Sequence, residues 1–423
     1  MARDAIPVTI LSGSLGAGKT TLLNHLLHTA DRDIAVLVND MGEVNIDAAL
    51  VSDSSELDVD DGVTELSNGC ICCELQDDLN TAVVRLARER DFDHLVVESS
   101  GISEPEPVAR LFTTGSRAAA LYEVDSLVTV VDARLFYDTF GGDERVERRG
   151  TADDDTRPLS DLLVEQVEFS NVVLLNKRDL LSEDELDTVE ELVRTLRPDA
   201  VILRSEFGQV AAGELLGRGL YDPATAADAA GWKQALNEDD ADEREDAHGD
   251  GHTHDDHSHG DSHDGHDHTG HSHPDEMYGV TSFVYRRRRP FHPQRLDAFL
   301  SSLPDSVVRS KGTCWVAGND HQQVMGQAGP SVRVEAGAPW VASLPELDQK
   351  LYRSNRKNLE WDDEWGDRKT ELVFIGQRMD EERLVAALDD CLLTDAEMDG
   401  EWTFEDPFPQ EQGESVVVAE PTV

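Results

Sequence analysis

Gly13-Ser-Leu-Gly-Ala-Gly-Lys19-Thr20 (GSLGAGKT) is the stretch that decides the fold. It follows an apolar run, Val8–Ser12 (VTILS), and opens a helical pattern over Thr20–Thr29. Glycines between a buried strand and a helix let backbone N–H groups turn inward around an anion. The helix N-terminus adds the positive end of its dipole. A polyphosphate is the expected ligand, held by Gly13, Ser14, Gly16, Ala17 and Gly18. Lys19 is expected to reach its β and γ phosphates, and the Thr20 hydroxyl to ligate Mg²⁺. Thr21 completes this phosphate-binding set.

Outward from this loop, short apolar runs alternate with helical patterns. The strand candidates are Ile34–Val38, His94–Glu98, Ser126–Val131, Asn171–Leu175 and Ala200–Leu203, together with the run before the loop. They are rich in Val, Ile and Leu with few interruptions, as strands buried on both faces of a parallel sheet are. Helix candidates between them are Thr20–Thr29, Asp77–Arg90, Pro105–Phe112, Leu159–Glu168 and Glu183–Leu196. The pattern predicts an α/β domain, doubly wound on a mainly parallel sheet, over residues 1–208. Periodicity is lost over 209–276, which reads as a linker. It returns over 277–398 as a smaller α+β domain, with strands in GVTSFVYRRRRPF, TCWVAG, SVRVEAG and TELVFIGQ and helices in HPQRLDAFLSSLP and DEERLVAALDDCLL. Residues 399–423 read as an acidic tail.

Asn176-Lys177-Arg178-Asp179 (NKRD) follows the apolar run NVVLL. A carboxylate there can accept from both N1–H and the 2-amino group of guanine. Adenine offers neither donor and would leave Asp179 unpaired. The nucleotide is therefore expected to be GTP. Glu98-Ser-Ser-Gly101 follows HLVV; Glu98 is placed to hold Mg²⁺ through water, and the Gly101 N–H to meet the γ-phosphate. After the second strand comes NDMGEVNID, residues 39–47, where a switch loop belongs. Its Glu43 and Asp47 are carboxylates within reach of Mg²⁺, a water or a second metal.

Five cysteines are present, and Cys70, Cys72 and Cys73 fall within four residues, in NGCICC. Three thiolates at that spacing can converge on one tetrahedral ion. No second cysteine pair follows, which argues against a closed zinc finger. An open site is expected, completed by Glu43, by water or by another protein's ligand. Buried structural cysteines or a redox pair are the alternatives. Cys314 and Cys391 fall in apolar patterns and read as core residues. Ten histidines lie between His248 and His273, spaced by Asp, Gly and Ser. That segment cannot bury enough apolar surface to offset its ordering entropy. It reads as a disordered insert able to hold Zn²⁺, Co²⁺ or Ni²⁺ loosely, or else as a plain solvated linker.

Lys plus Arg number 37 and Asp plus Glu 87, a net charge of −50. Only −14 of that lies in residues 238–276, so acidity covers the whole surface. Seven lysines stand against thirty arginines. An acidic, lysine-poor surface suits solubility in high salt, so a halophilic, cytoplasmic protein is expected. Binding to nucleic acid or to an anionic membrane is not expected, because phosphate contacts need basic patches. The one basic run, Arg286–Arg289, stands alone. No apolar run is long enough to span a bilayer, and with the P-loop strand so near the N-terminus no signal peptide is expected.

Taken together, the chain resembles the CobW-type metallochaperone GTPases, including YjiA-like members. The resemblance is carried by GSLGAGKT, NDMGEVNID, GCICC, ESSGISEP, VVDA and NKRD, and then by RRRRPFHPQRLDAFL, KGTCWVAG and WGDRKTELVFIG. It spans nearly the whole chain apart from the histidine segment and the tail. One departure is Asp40-Met41, where members more often have Glu-Phe. The resemblance implies a GTPase that binds Zn²⁺, Co²⁺ or a similar ion and delivers it to a client protein. It implies metal binding at Cys70, Cys72 and Cys73, with Glu43 a further ligand, and the Glu form of the third GTPase motif at Glu98. The rival readings are a regulatory GTPase with structural cysteines and a passive metal buffer built on the histidine segment.

Overall fold

A computed structural model describes residues 5–38, 63–65, 73–99, 101, 105–113, 116–141, 158–237, 280–356 and 359–419. The first sheet has seven strands: β1 Ile6–Ser12, β2 Ile34–Val38, β3 Val63–Glu65, β4 His94–Glu98, β5 Tyr122–Asp132, β6 Val172–Asn176 and β7 Val201–Arg204. Their order is β3-β2-β4-β1-β5-β6-β7, and every pairing is parallel. The sheet is buried on both faces. Alternate residues of β2 and β4 (Ala35, Leu37, Leu95, Val97) enter one core cluster, while Val36, Val38 and Val96 enter the other. This explains the near-continuous apolar runs. The three-residue β3 was not expected from the sequence.

The second sheet is antiparallel: β8 Val280–Arg287, β9 Val307–Cys314, β10 His321–Ala328, β11 Ser331–Pro339, β12 Thr370–Gln377 and β13 Ser415–Ala419, in the order β13-β11-β10-β9-β12-β8. The helices Pro293–Leu300 and Glu381–Cys391 cover one face through Leu296, Leu300, Leu384 and Leu388. The other face packs on the first domain. Val280, Val308, Ala328, Val373 and Ile375 share one core with Phe136, Phe140, Val164 and Leu192. Arg309 of β9 donates from Nε and Nη2 to both carboxylate oxygens of Glu168, at 2.8 and 2.9 Å, on the helix Leu159–Phe169. Both residues are buried. Burial opposes the arginine charge, but Glu168 more than offsets it and raises the Arg309 pKa.

Two expectations about the chain between and after these sheets are corrected. Residues 209–237 are not a loose linker. Leu215 and Leu216 are buried, and Trp232 and Leu236 pack on the shared core. Asp125 of β5 accepts from the backbone N–H groups of Gly217 and Gly219 at 2.8 and 2.6 Å. Around Asp125 lies a buried polar cluster in which Thr9 Oγ1 meets His94 Nε2 at 2.9 Å and Ser126 Oγ at 3.1 Å. Burial pushes the His94 pKa down to about 4, against the pull of Asp125. Nor are residues 399–423 only a tail: Phe408 is buried and β13 pairs with β11. Val416 and Val418 reach the core on either side of the exposed Val417, an edge-strand alternation hidden by acidic surroundings. The histidine-rich stretch lies outside the described residues.

β10 and the helix Glu346–Asn355 were also not expected. The β10 face that should read apolar carries Gln323, Met325 and Gln327, all buried. Their amide N–H groups reach carbonyls: Gln323 Nε2 donates to Pro409 O at 3.2 Å and Gln327 Nε2 to Val307 O at 3.0 Å. The strand expected in TCWVAG instead ends at Cys314. Cys314 and Cys391 are buried, as expected, and burial raises their thiol pKa values to about 12 and about 11. No described helix is long and apolar enough to cross a membrane.

Candidate nucleotide site

The parallel sheet brings the C-terminal ends of its strands to one edge, with β1 between β4 and β5 where the winding reverses. Ligands in such sheets bind in the crevice at that point. The loop 13–18 leaves β1 there and enters the helix Lys19–Thr29. Gly13, Gly16 and Gly18 have φ of 140°, 78° and 107°, which glycine adopts at low cost. At two of them the space is also closed. A Cβ on Gly13 would lie 2.2 Å from the Val130 carbonyl oxygen, and one on Gly18 2.4 Å from Asn176 Nδ2. The Lys19 ammonium lies inside the loop and donates to the carbonyls of Gly13 at 2.8 Å and Ser14 at 3.3 Å. Thr20 follows in the first helical turn, half-buried, with Thr21 exposed beside it.

Glu98 ends β4 as a buried carboxylate, in register with Leu11 of β1 and Val38 of β2. Ser99 N donates to Leu11 O at 2.9 Å, turning the chain toward the phosphate loop. Gly101 lies against that loop: a Cβ there would meet Leu15 N at 2.7 Å. The hydroxyl of Thr20 and the carboxylate of Glu98 are hard oxygen donors of the kind Mg²⁺ takes.

Asn176 ends β6 and Lys177 follows it. Asn176 is buried, and its Nδ2 donates to Ala17 O at 2.8 Å. Its Oδ1 accepts from Ser205 Oγ at 2.9 Å and Gly208 N at 3.0 Å. One amide therefore ties together the phosphate loop, the NKRD turn and the loop after β7. Lys177 has a left-handed backbone, φ 60° and ψ 34°, and Asp179 is exposed in the turn that follows. Phe207 is left-handed too, at φ 53°, and its side chain is 64% exposed. Among the described residues only Lys177, Phe207 and Arg378 are non-glycines with positive φ. Of these, Lys177 follows Asn176 and Phe207 precedes Gly208, a group that Asn176 holds.

The structure thus brings Gly13–Thr21, Glu98, Gly101, Asn176, Lys177 and Asp179 to one edge. Glu43, Cys70 and Cys72 lie outside the described residues. Cys73 is described only as the first residue of the helix Cys73–Glu89. Ser205–Gly208 were missed from sequence, and Asp132, within the quoted VVDA, was given no role. The available signal was that each follows a buried parallel strand, whose exits must meet at this edge. The basic run proves to be internally neutralised. Arg286, Arg287, Arg288 and Arg289 pair with Glu371, Asp389, Glu360 and Asp395.

A glycine loop closed by an Asn-Lys-x-Asp turn defines a P-loop nucleotide-binding protein. A family model described as CobW/HypB/UreG, nucleotide-binding domain, matches residues 7–204. A second, the cobalamin synthesis protein cobW C-terminal domain, matches residues 280–392. The chain is 38% identical to zinc-regulated GTPase metalloprotein activator 1 of Dictyostelium discoideum, over 93% of this chain and 81% of that protein. It is 25% identical to the zinc chaperone YjiA of Escherichia coli, over 91% of this chain and 98% of that one. A crystal structure of Zn(II)-bound YjiA GTPase from E. coli aligns at a TM-score of 0.36 and 19% identity, covering 92% of this chain and all of that one. The chain belongs to the CobW/HypB/UreG family and is a P-loop GTPase of that family.

Proposed function

We propose that this GTPase is a metallochaperone that takes up Zn²⁺ or Co²⁺ at Cys70, Cys72, Cys73 and Glu43 and hands it to a client protein when GTP is hydrolysed. GTP is held by Gly13–Thr21 and read by Asn176, Lys177 and Asp179. Lys19 and the Gly101 N–H meet the γ-phosphate, while Thr20 and, through water, Glu98 hold Mg²⁺. Mg²⁺ when bound screens the phosphate charge.

One relationship carries this reading. The ends of β1, β2, β3 and β4 stand side by side, with Val38 in register with both Glu65 and Glu98, and Leu11 with Glu98. The segment that leaves β3 at Glu65 opens a helix at Cys73 eight residues later. β3 therefore ends at the same edge as the phosphate loop, and in the sequence the cysteine motif comes between the switch segment and Glu98. A metal bound there would respond to loss of the γ-phosphate, as GTPase switch segments do. The zinc-related names of the relatives support a metal as cargo. Three thiolates with one oxygen suit Zn²⁺ best, with Co²⁺ next.

GTP turnover measured with and without Zn²⁺ or Co²⁺, in wild type and Cys72→Ala, tests this. Metal-dependent turnover that disappears in Cys72→Ala is expected; turnover indifferent to metal in both proteins overturns it. Deleting His248–His273 separates a chaperone, which keeps one tight thiolate site, from a buffer, which loses nearly all metal capacity. We place the protein in the cytoplasm of a salt-adapted cell, because its acidity is spread over the whole surface. A melting temperature that rises between dilute buffer and multimolar KCl is the outcome expected.

A further inference from the structure

The carboxylate of Asp132 makes two contacts at the end of β5. Its Oδ1 accepts from Leu135 N at 3.1 Å and so caps the helix Ala133–Phe136. Its Oδ2 accepts from Lys177 Nζ at 2.7 Å. Register sets Asp132 beside Asn176, the residue before that lysine. The Asp132 side chain is mostly buried and that of Lys177 about one-third exposed, so the pair lies at the rim of the site rather than in open solvent.

We propose that Asp132 is a positioning residue for the base. By holding the Lys177 ammonium it fixes the lysine's methylene stem across the rim from β6 to β5, as an apolar wall for one face of the guanine ring. The proposal rests on the reading of NKRD as the guanine loop. A lysine side chain left free loses its rotamer freedom when a ligand orders it. With Asp132 in place, that ordering is complete before the nucleotide arrives, and preorganisation of this kind tightens binding. The left-handed backbone at Lys177 serves the same geometry, because the stem must turn back from the strand end to reach β5.

Asp132→Asn is the informative variant. Asparagine caps helices as well as aspartate does, but with its carbonyl oxygen kept on Leu135 N it turns an NH₂ group toward the Lys177 ammonium in place of Oδ2. Calorimetric titration with GTP and GDP is expected to show binding about tenfold weaker for both, with the melting temperature unchanged. In turnover the loss should fall on KM rather than kcat. Lys177→Ala should match it, and the double variant should lose little more than either single one. Asp132→Ala, which also loses the cap, should melt lower as well. If Lys177→Ala weakens binding while Asp132→Asn binds like wild type, the proposal is overturned and the guanine reading stands. If Asp179→Asn and Lys177→Ala both leave the preference for GTP over ATP intact, the guanine reading falls and this proposal with it.

Discussion

Asn176 donates from its Nδ2 to the Ala17 carbonyl at 2.8 Å, clamping the NKRD turn onto the phosphate loop. The same side chain accepts from Ser205 and Gly208, so three loops are set by one buried amide. Replacing it with alanine leaves those buried groups without their partner, each at about 1–3 kcal/mol. Asn176→Ala is expected to lose GTP affinity by at least tenfold and to melt lower even without nucleotide. Titration with GTP and a thermal scan of the apoprotein check both parts.

The buried pair Arg309–Glu168 joins the two sheets' domains. Removing one partner strands the other charge in the core, a cost of about 3–5 kcal/mol. Glu168→Gln and Arg309→Met should each destabilise strongly, whereas the double variant should recover part of the loss. Denaturant unfolding of the three variants measures this; equal additive losses would show that the pair is not coupled.

His94 is buried and held neutral, its pKa pushed down to about 4 by burial. The unfolded chain protonates near the ordinary value of about 6.5. The unfolded state therefore binds more protons in between, and stability falls as pH drops from about 6.5 toward 4. The largest contribution is about 3 kcal/mol. Asp125, Thr9, Ser126 and Arg32 surround or influence the ring, and carboxylates titrate in the same range. The comparison is therefore wild type against His94→Gln. The variant should show a flatter stability profile between pH 6.5 and 4.

Much of this site was legible because its motifs are local. GSLGAGKT needs only the strand before it and the helix after it, and NKRD only its strand. What escaped depends on distant partners. Asp132 meets Lys177 through strand register, and Ser205–Gly208 meet Asn176 through the order of β6 and β7. In the second domain, β10 was hidden because its buried face carries glutamines that donate to the carbonyls of Pro409 and of Val307 in the neighbouring β9. β13 was hidden because an edge strand needs to bury only alternate residues. Three residues of β3 are too few for any periodicity.

Phe207 combines a left-handed φ of 53° with an exposed ring. A left-handed backbone costs about 1–2 kcal/mol in a non-glycine residue, and little packing is lost on truncation here. Phe207→Gly should therefore raise the melting temperature by a few degrees, partly offset by the flexibility glycine adds to the unfolded chain. A lower melting temperature would mean that the ring packs in a way its exposure does not suggest.

In the proposed function, nucleotide state sets metal affinity through the cysteine motif. Zn²⁺ affinity, measured by competition with a chromophoric chelator in the GTP-analogue and GDP states, tests it most directly. Zn²⁺ should bind more tightly with the GTP analogue than with GDP, by about tenfold or more, and the difference should be lost in Cys72→Ala. Equal affinity in the two nucleotide states, or a difference that survives in Cys72→Ala, would contradict it.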